Sequence, residues 1–375
     1  MSRHPLDPLS ADEFRQTAAV LRRDGLVTEA FRFTSIELKE PAKAAVKAWR
    51  PGDQVQRSAF AIVLDRTRNT THEAVVDLTG DLVVSFNHIA DVQPNFTLDE
   101  FHDVDHAMRS HPEVIAVLAA RGFTEMDLIL IDVWTYAKAL MPEKYRNRRL
   151  GWCDLWARET AGGNPYGHPV SGLKLIVDVN TLELLEIEQH HDYGQPVVDC
   201  EYVPAVRGTE VRADLKPLHI TQPDGPSFTM SGTEVRWQNW SIRLGFNYRE
   251  GPVLYQVSFD DHGVKRDVAY RMSFAEMVVP YRDPSFDHYR RTAYDIGEWG
   301  LGAMTTSLEL GCDCLGEIVY VDAVLADTAG EPYTVSNAIC LHEEDNAVLW
   351  KHVDHRTGAE VRRQRRMVVS CHATV

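Results

Sequence analysis

What this chain lacks narrows it first. No run approaches the ~18 apolar residues that a membrane-spanning helix needs, and the opening "MSRHPLDPLSADEF" puts prolines and acids where a secretory signal needs an apolar core. A soluble, cytoplasmic protein with no membrane partner is expected. Cysteine is scarce, six in 375 residues, too few for a disulfide scaffold. "GCDCLG" offers a single C-x-C with no second pair, short of a zinc-ligand pattern. Basic residues are outnumbered, 39 against 55, and the net charge of −16 argues against sequence-independent binding to nucleic acid or acidic membranes. The same charge mildly favours a cationic ligand. There is no P-loop, no G-x-G-x-x-G after a strand and no G-x-S-x-G elbow. "NTT", "NFT" and "NWS" match glycosylation sequons, which carry no meaning without a secretory signal.

What is present is ordinary material for two or three globular domains: 44% hydrophobic and 25% charged residues. Ser10 and Glu13 have capping-box spacing, and "SADEFRQTAAVLRRDG" carries apolar residues at helical intervals before Gly25. Strand-like runs follow, "FRFTSIEL", "SAFAIVLD", "THEAVVDL" and "DLVVSFNH", the last two joined through Thr79-Gly80 as a hairpin. The pattern then recurs. "HPEVIAVLAARGFTEMDLILIDVW" repeats helix, glycine stop and strand, and "GLKLIVDVNTLELLEIEQH" repeats the hairpin with Asn180-Thr181 at its turn. We read an α+β chain with two related small α+β domains, residues 1–93 and 94–195. The alternative is chance agreement between two generic helix-hairpin units.

From about residue 196 the texture changes. A Pro-, Gly- and Asp-rich stretch, 196–225, reads as a linker. Residues 226–375 are short alternating runs with frequent turns, the first part of a large antiparallel β-sandwich. The close "RRMVVSCHATV" alternates apolar and polar residues from Met367 to Val375, the pattern of a half-buried strand. Because an unpaired apolar edge invites aggregation, the sequence is expected to continue beyond Val375.

The densest chemistry lies in "YRDPSFDHYRRTAYDIGEWGLG", residues 281–302. Asp295 stands among Tyr294, Ile296 and Trp299, with glycines at 297, 300 and 302. An acid desolvated in that way is a candidate general base. The bland alternative is that Asp295 caps a turn. Glu298, three residues on, raises a glycosidase-like pair. In an extended strand, however, positions i and i+3 face opposite ways, so Glu298 is read as structural, bonding to backbone. His190, His191, His352 and His355 lack a convincing third ligand and are read as surface histidines, with no metal assigned to the chain.

Taken in order, "PSFTMSG", "VRWQNWSIRLGFNYREGPVLYQVSF", "EMVVPYRDP", "YDIGEWGLG", "SLELGCDCLGEIVY", "ICLHEEDNAVLWKH" and "RRMVVSCHATV" closely resemble the copper-containing primary-amine oxidases. The resemblance is strong from about 215 to 375 and continuous, though weaker, through the two small domains. It implies oxidative deamination: a primary amine, water and oxygen give an aldehyde, ammonia and hydrogen peroxide. The cofactors implied are copper and topaquinone, the latter made from a tyrosine that in the family follows directly after the strand matching "MVVSCHATV". That tyrosine and the copper histidines would therefore lie beyond residue 375, and the 375-residue chain alone is expected to be inactive.

By the same resemblance Asp295 matches the base that removes a proton from the amine's α-carbon, and Tyr281 the tyrosine that hydrogen-bonds a quinone oxygen. Trp299, Ala293, Tyr166 and Met141 fall near positions lining the substrate channel, and Cys314 and Cys340 match a disulfide. Family members are typically dimers, so a homodimer is implied for the full-length protein. The competing reading is a truncated, non-catalytic relic acting as a binding protein; a hydrolase built on Asp295 and Glu298 is a third.

Overall fold

The computed structural model describes residues 3–197, 200–208, 214–286, 288–292 and 294–374. It begins with α1 (Ala11–Arg23), where Ser10 and Glu13 form the anticipated reciprocal capping box. Phe14, Ala18 and Leu21 of α1 are buried on one stripe. That stripe lies against the sheet of β1 (Phe31–Leu38), β2 (Ser58–Asp65), β3 (Thr70–Asp77) and β4 (Leu82–Ile89), with a short α2 (Lys43–Ala48) between β1 and β2. The strands pair antiparallel in chain order.

A second unit repeats the plan. Helices α3 (Leu98–Arg109) and α4 (Pro112–Ala120) pack on β5 (Ile129–Thr135), β6 (Leu150–Ala157), β7 (Leu173–Asp178) and β8 (Glu183–Gln189), again an antiparallel meander in chain order. The sequence reading overlooked α2 and α3. The charges of "LDEFHDVDHAMR" hide its buried residues, Glu100, Val104 and Met108, of which one is itself an acid.

Residues 200–208 and 214–227 hold only one turn of helix, α5 (Pro204–Arg207). Five strands then form a sheet in the order β13-β12-β11-β10-β9: β9 (Phe228–Ser231), β10 (Glu234–Trp237), β11 (Trp240–Asn247), β12 (Gly251–Asp261) and β13 (Val264–Ser273). After the short α6 (Asp295–Trp299) come β14 (Val319–Ala326), β15 (Pro332–Asp354) and β16 (Gly358–Ser370), a three-stranded sheet. Phe228, Val235 and Leu244 of the first sheet meet Ile339 and Leu341 of the second, a sandwich core. The architecture is α+β, two similar small units followed by antiparallel sandwich sheets.

The final strand is shorter than expected and its surroundings differ. The strand stops at Ser370, where Val368 and Ser370 are half-buried like Met367 and Val369, while the expected alternation continues through half-buried Cys371 and Ala373 and exposed His372 and Thr374. Beyond it Thr306 N–H bonds the His372 carbonyl at 2.9 Å and Ala373 bridges Thr305, so a neighbouring loop takes up the backbone groups. The strand's apolar face is also covered: Met367 and Val369 pack into the sandwich core. The cores are shared as well, since Val324 and Ala326 of β14 join the apolar cluster beneath α1. Cys314 and Cys340 form a disulfide.

Candidate functional site

The segment after β13 is anchored at several points. Val278 bridges Tyr294, and Asp295 N–H bonds the Met277 carbonyl at 3.1 Å, which sets Asp295 at the start of α6. Glu276 accepts the Gly297 N–H at 3.0 Å. After α6, Gly300 has φ +96°, and a Cβ at Gly302 would lie 1.9 Å from the Asn247 carbonyl oxygen. The glycines of "GEWGLG" are thus what lets the segment lie against the β11–β12 turn. On its other side α6 meets the second unit: the Trp299 ring stands edge-on to Phe101 at 5.6 Å, and Asn95 donates to the Trp299 carbonyl at 3.2 Å.

Within this frame Tyr281 and Asp295, fourteen positions apart, come together: the Tyr281 hydroxyl donates to the Asp295 carboxylate at 3.1 and 3.3 Å. Burial, and then the Asp295 charge, push the Tyr281 hydroxyl pKa upward, keeping it a donor. The environment of Asp295 differs from expectation. It is only half-buried and Tyr294 is exposed, because α6 turns its apolar side chains, Ile296 and Trp299, inward.

The deeply buried acid is Glu298, 5% exposed. It is not a backbone-bonded structural group on an opposite face. In a helix i and i+3 are neighbours, and Glu298 accepts from the Thr135 hydroxyl at 2.9 Å. Burial pushes its pKa up to about 7; the Thr135 hydrogen bond opposes this and the nearby Asp295 charge adds to it. The site thus holds two carboxyls of different character, one open to solvent and one poised to hold a proton near neutrality.

Beneath them lies a charge cluster on the second unit's sheet. Asp132 and Asp154 are direct cross-strand partners on β5 and β6. Asp154 pairs with both Lys174 and Arg291. Asp132 has its pKa raised to about 7 by burial and then by Asp154. Arg291 lies 4.1 Å from the Trp134 ring centre and 5.3 Å from that of Tyr281. Its guanidinium therefore links the buried acids to the tyrosine that contacts Asp295. Sequence reasoning missed this cluster, although "LILIDVW" and "GWCDLWA" each carry a lone acid inside an apolar strand, a usable signal.

A cavity of about 930 Å³ opens beside α6, with Tyr294, Gly297 and Glu298 on one wall and Tyr136, Met141 and Arg149 on the other. Met141 accordingly lines it. Trp299 is turned away into the core of the second unit. Tyr166 is 52% exposed, edge-on to Trp156 at 5.4 Å, and not among the lining residues. Ala293 lies outside the described residues. His190, His191, His352 and His355 are exposed. Among the described residues, the cluster of metal-capable side chains is Cys314, Cys340 and His342, where the disulfide takes both sulfurs. No copper site of several histidines is formed by the residues described.

Residues 229–375 match the copper amine oxidase enzyme domain, 99–201 the copper amine oxidase N3 domain, and 10–86 the AGAO-like N2 domain. A primary amine oxidase of Arthrobacter sp. (strain P1) is 45% identical over 374 residues, 99% of this chain and 57% of the relative. The histamine oxidase of Arthrobacter globiformis is 38% identical over 383 residues, all of this chain and 55% of that protein. A copper-containing benzylamine oxidase from Hansenula polymorpha superposes with a TM-score of 0.86 at 26% identity, covering 100% of this chain and 60% of that structure. The chain thus spans between half and three-fifths of the length of these relatives.

Proposed function

The chain belongs to the copper amine oxidase family, and from that premise we propose that the protein it represents performs the oxidative deamination of primary amines to aldehyde, ammonia and hydrogen peroxide. The observation that carries this reading is the contact between Tyr281 and Asp295 on a glycine-anchored helix beside a 930 Å³ cavity.

Topaquinone, when present, would supply the electrophile that makes the amine's α-hydrogen acidic and accepts the electrons. Copper would be held by histidines other than those described here, and in this reading both those ligands and the quinone-forming tyrosine lie outside residues 1–375. The roles of this chain's own groups follow from their surroundings. Asp295 takes the α-proton, its half-open carboxylate oriented by the Tyr281 hydroxyl. The resemblance would also have Tyr281 present its O–H to a quinone oxygen; neither Tyr281 nor Asp295 is among the residues lining the cavity, which reaches α6 through Tyr294, Gly297 and Glu298. Glu298 holds a proton close by and spares Asp295 a second negative charge. Met141, Tyr294 and Arg149 give the cavity a mixed lining, and Ala293 is kept as a proposed channel residue, whereas Trp299 and Tyr166 lie away from this cavity.

A homodimer is proposed for the full-length protein, supported by the exposed apolar side chains Val348, Leu349, Trp350 and Val353 on the β15–β16 hairpin. A cytoplasmic location is likewise proposed and is read by cell fractionation. The functional test is peroxide release on adding primary amines to the full-length, copper-loaded protein beside the 1–375 chain. Release by the first and none by the second is the expected result. Release by 1–375 alone would overturn the assignment of the cofactor residues, and no release by the longer protein would favour a non-catalytic binding role.

A further inference from the structure

The chain carries a net charge of −16, yet one groove on it has the opposite character. It encloses about 550 Å³ between α2 and the β10–β13 face of the five-stranded sheet, and six basic side chains line it against two acids, Glu234 and Asp267. The two acids are already engaged: Asp267 pairs with Lys47 at 2.6 Å, and Glu234 with Arg236 at 2.7 Å and Arg243 at 3.5 Å. Arg243 also reaches Asp7 at 3.3 Å from outside the lining. That leaves Lys43, Arg50 and Lys265, none of which has a carboxylate within ion-pair distance among the described residues. The Lys43 ammonium instead sits 4.9 Å from the Tyr270 ring centre, and Arg50 donates to the carbonyls that end α2.

A second observation is independent of charge counting. Three residues of the same lining carry buried donors, Trp49 Nε1, Arg243 Nε and the Tyr270 hydroxyl, with no hydrogen-bond partner among the described residues. A buried polar group left unpaired is destabilising, so three along one lining call for something that satisfies them. A phosphate group is the natural complement: compact, doubly charged and rich in acceptor oxygens. His4, 6% exposed and edge-on to Trp49 at 4.8 Å, reports the local field. Its Nδ1 accepts the Leu6 N–H at 3.1 Å, and burial followed by the Arg243 charge pushes its pKa down to about 4, against the opposing charges of Asp7 and Glu234.

We propose that this groove is a binding site for a phosphate dianion, either free phosphate or the phosphomonoester of a small molecule, held by Lys43, Arg50 and Lys265, with the unpaired donors of Trp49, Arg243 and Tyr270 in the wall behind them. The site is separate from the amine oxidase reading and uses none of its residues. The test is calorimetric titration of the full-length protein with inorganic phosphate, alongside the variants Lys43→Glu/Lys265→Glu and Trp49→Phe. The expected result is saturable binding, weakened at least tenfold by the double charge reversal and several-fold by Trp49→Phe, which changes no charge. Bound phosphate also offsets the Arg243 field, so the His4 ring titration, followed by NMR, moves to higher pH. Glycerol phosphate in solution and vesicles containing phosphatidic acid then distinguish a free ester from a lipid headgroup as the source. Absence of saturable binding overturns the proposal. So does binding that both variants leave within twofold, since the anion would then be held elsewhere.

Discussion

Replacing Arg149 with Met tests how the second unit supports the candidate site. Arg149 is fully buried and grips Glu100 with two bonds, Nε to Oε1 at 2.7 Å and Nη2 to Oε2 at 2.9 Å. It also donates to the carbonyls of Pro94 and Asn95 at 3.0 and 2.9 Å and lies 4.7 Å from the Phe96 ring centre. Glu100 in turn accepts the Thr97 N–H at 2.9 Å, capping α3. Methionine fills much of the same volume but leaves the Glu100 carboxylate buried at 2% exposure without its paired guanidinium, and with only the more distant Arg32 charge to offset it. Breaking such a pair costs ~3–5 kcal/mol, whereas replacing both members with apolar residues is often close to neutral. Arg149→Met should therefore lose ~3–5 kcal/mol in urea unfolding, and Arg149→Met/Glu100→Leu should recover most of it.

The pH dependence gives an independent check on the same pair. Burial works to raise the Glu100 pKa, but the charge and hydrogen bonds of Arg149 outweigh it, and the folded value is lowered. A lowered carboxylate contributes stability above its unfolded pKa of ~4.3 and loses it as pH falls through the folded value. Without Arg149 the sign reverses, so the gap between the variant and the parent should narrow on acidification below about pH 5. The same substitution should loosen Pro94–Asn95 and, through the Asn95 amide on the Trp299 carbonyl, the end of α6. A loss under ~1 kcal/mol, or a double variant no better than the single one, would refute the reasoning.

Other outcomes follow from the site. Asp295→Asn in the full-length, copper-loaded protein should abolish amine turnover while leaving the visible quinone band, because base and cofactor are separate parts; near-normal turnover would show that the base is another residue. Glu298, with a folded pKa of about 7 raised by burial, should make stability fall by ~2–3 kcal/mol as pH rises from 5 to 8. Glu298→Gln keeps an acceptor for Thr135 and should flatten that dependence in pH-resolved unfolding; an unchanged profile would show that another group titrates. The Cys314–Cys340 bridge closes a separation of 26 residues, worth ~3 kcal/mol by chain entropy. Denatured protein should release two further thiols on reduction, and Cys314→Ser/Cys340→Ser should lower unfolding stability by that amount. Gly302→Ala should disturb the fold near α6, since its Cβ would meet the Asn247 carbonyl at 1.9 Å, and near-UV dichroism should register the change.

Much of the architecture was legible because it is written in local periodicity. "FRFTSIEL" and "SAFAIVLD" became β1 and β2 residue for residue, and the Ser10–Glu13 box starts α1, since alternation and capping are properties of neighbouring residues. Helix α3 escaped because the acid it buries, Glu100, is made tolerable by Arg149, 49 positions away, and no local window contains both. The final strand was misjudged for a similar reason. Its odd positions do face the core, Met367 and Val369 among them, but where the strand ends depends on the loop at Thr305 and Thr306, which pairs with His372 and Ala373.

The candidate site divides along the same line. The family, the small α+β units, the antiparallel sheets and the choice of Asp295 and Tyr281 were readable from the residues alone, because long motifs and short-range patterns carry that information. Only the tertiary structure decided that "DIGEW" is helical, so that Glu298 rather than Asp295 is the deeply buried acid, and that Tyr281 contacts Asp295. It also decided that Arg291 joins them to Asp154, and that Trp299 faces a core while Met141 faces a cavity. Burial, and the pKa values that follow from it, depend on which distant segments exclude water from a side chain, and that exclusion exists only once the chain has packed.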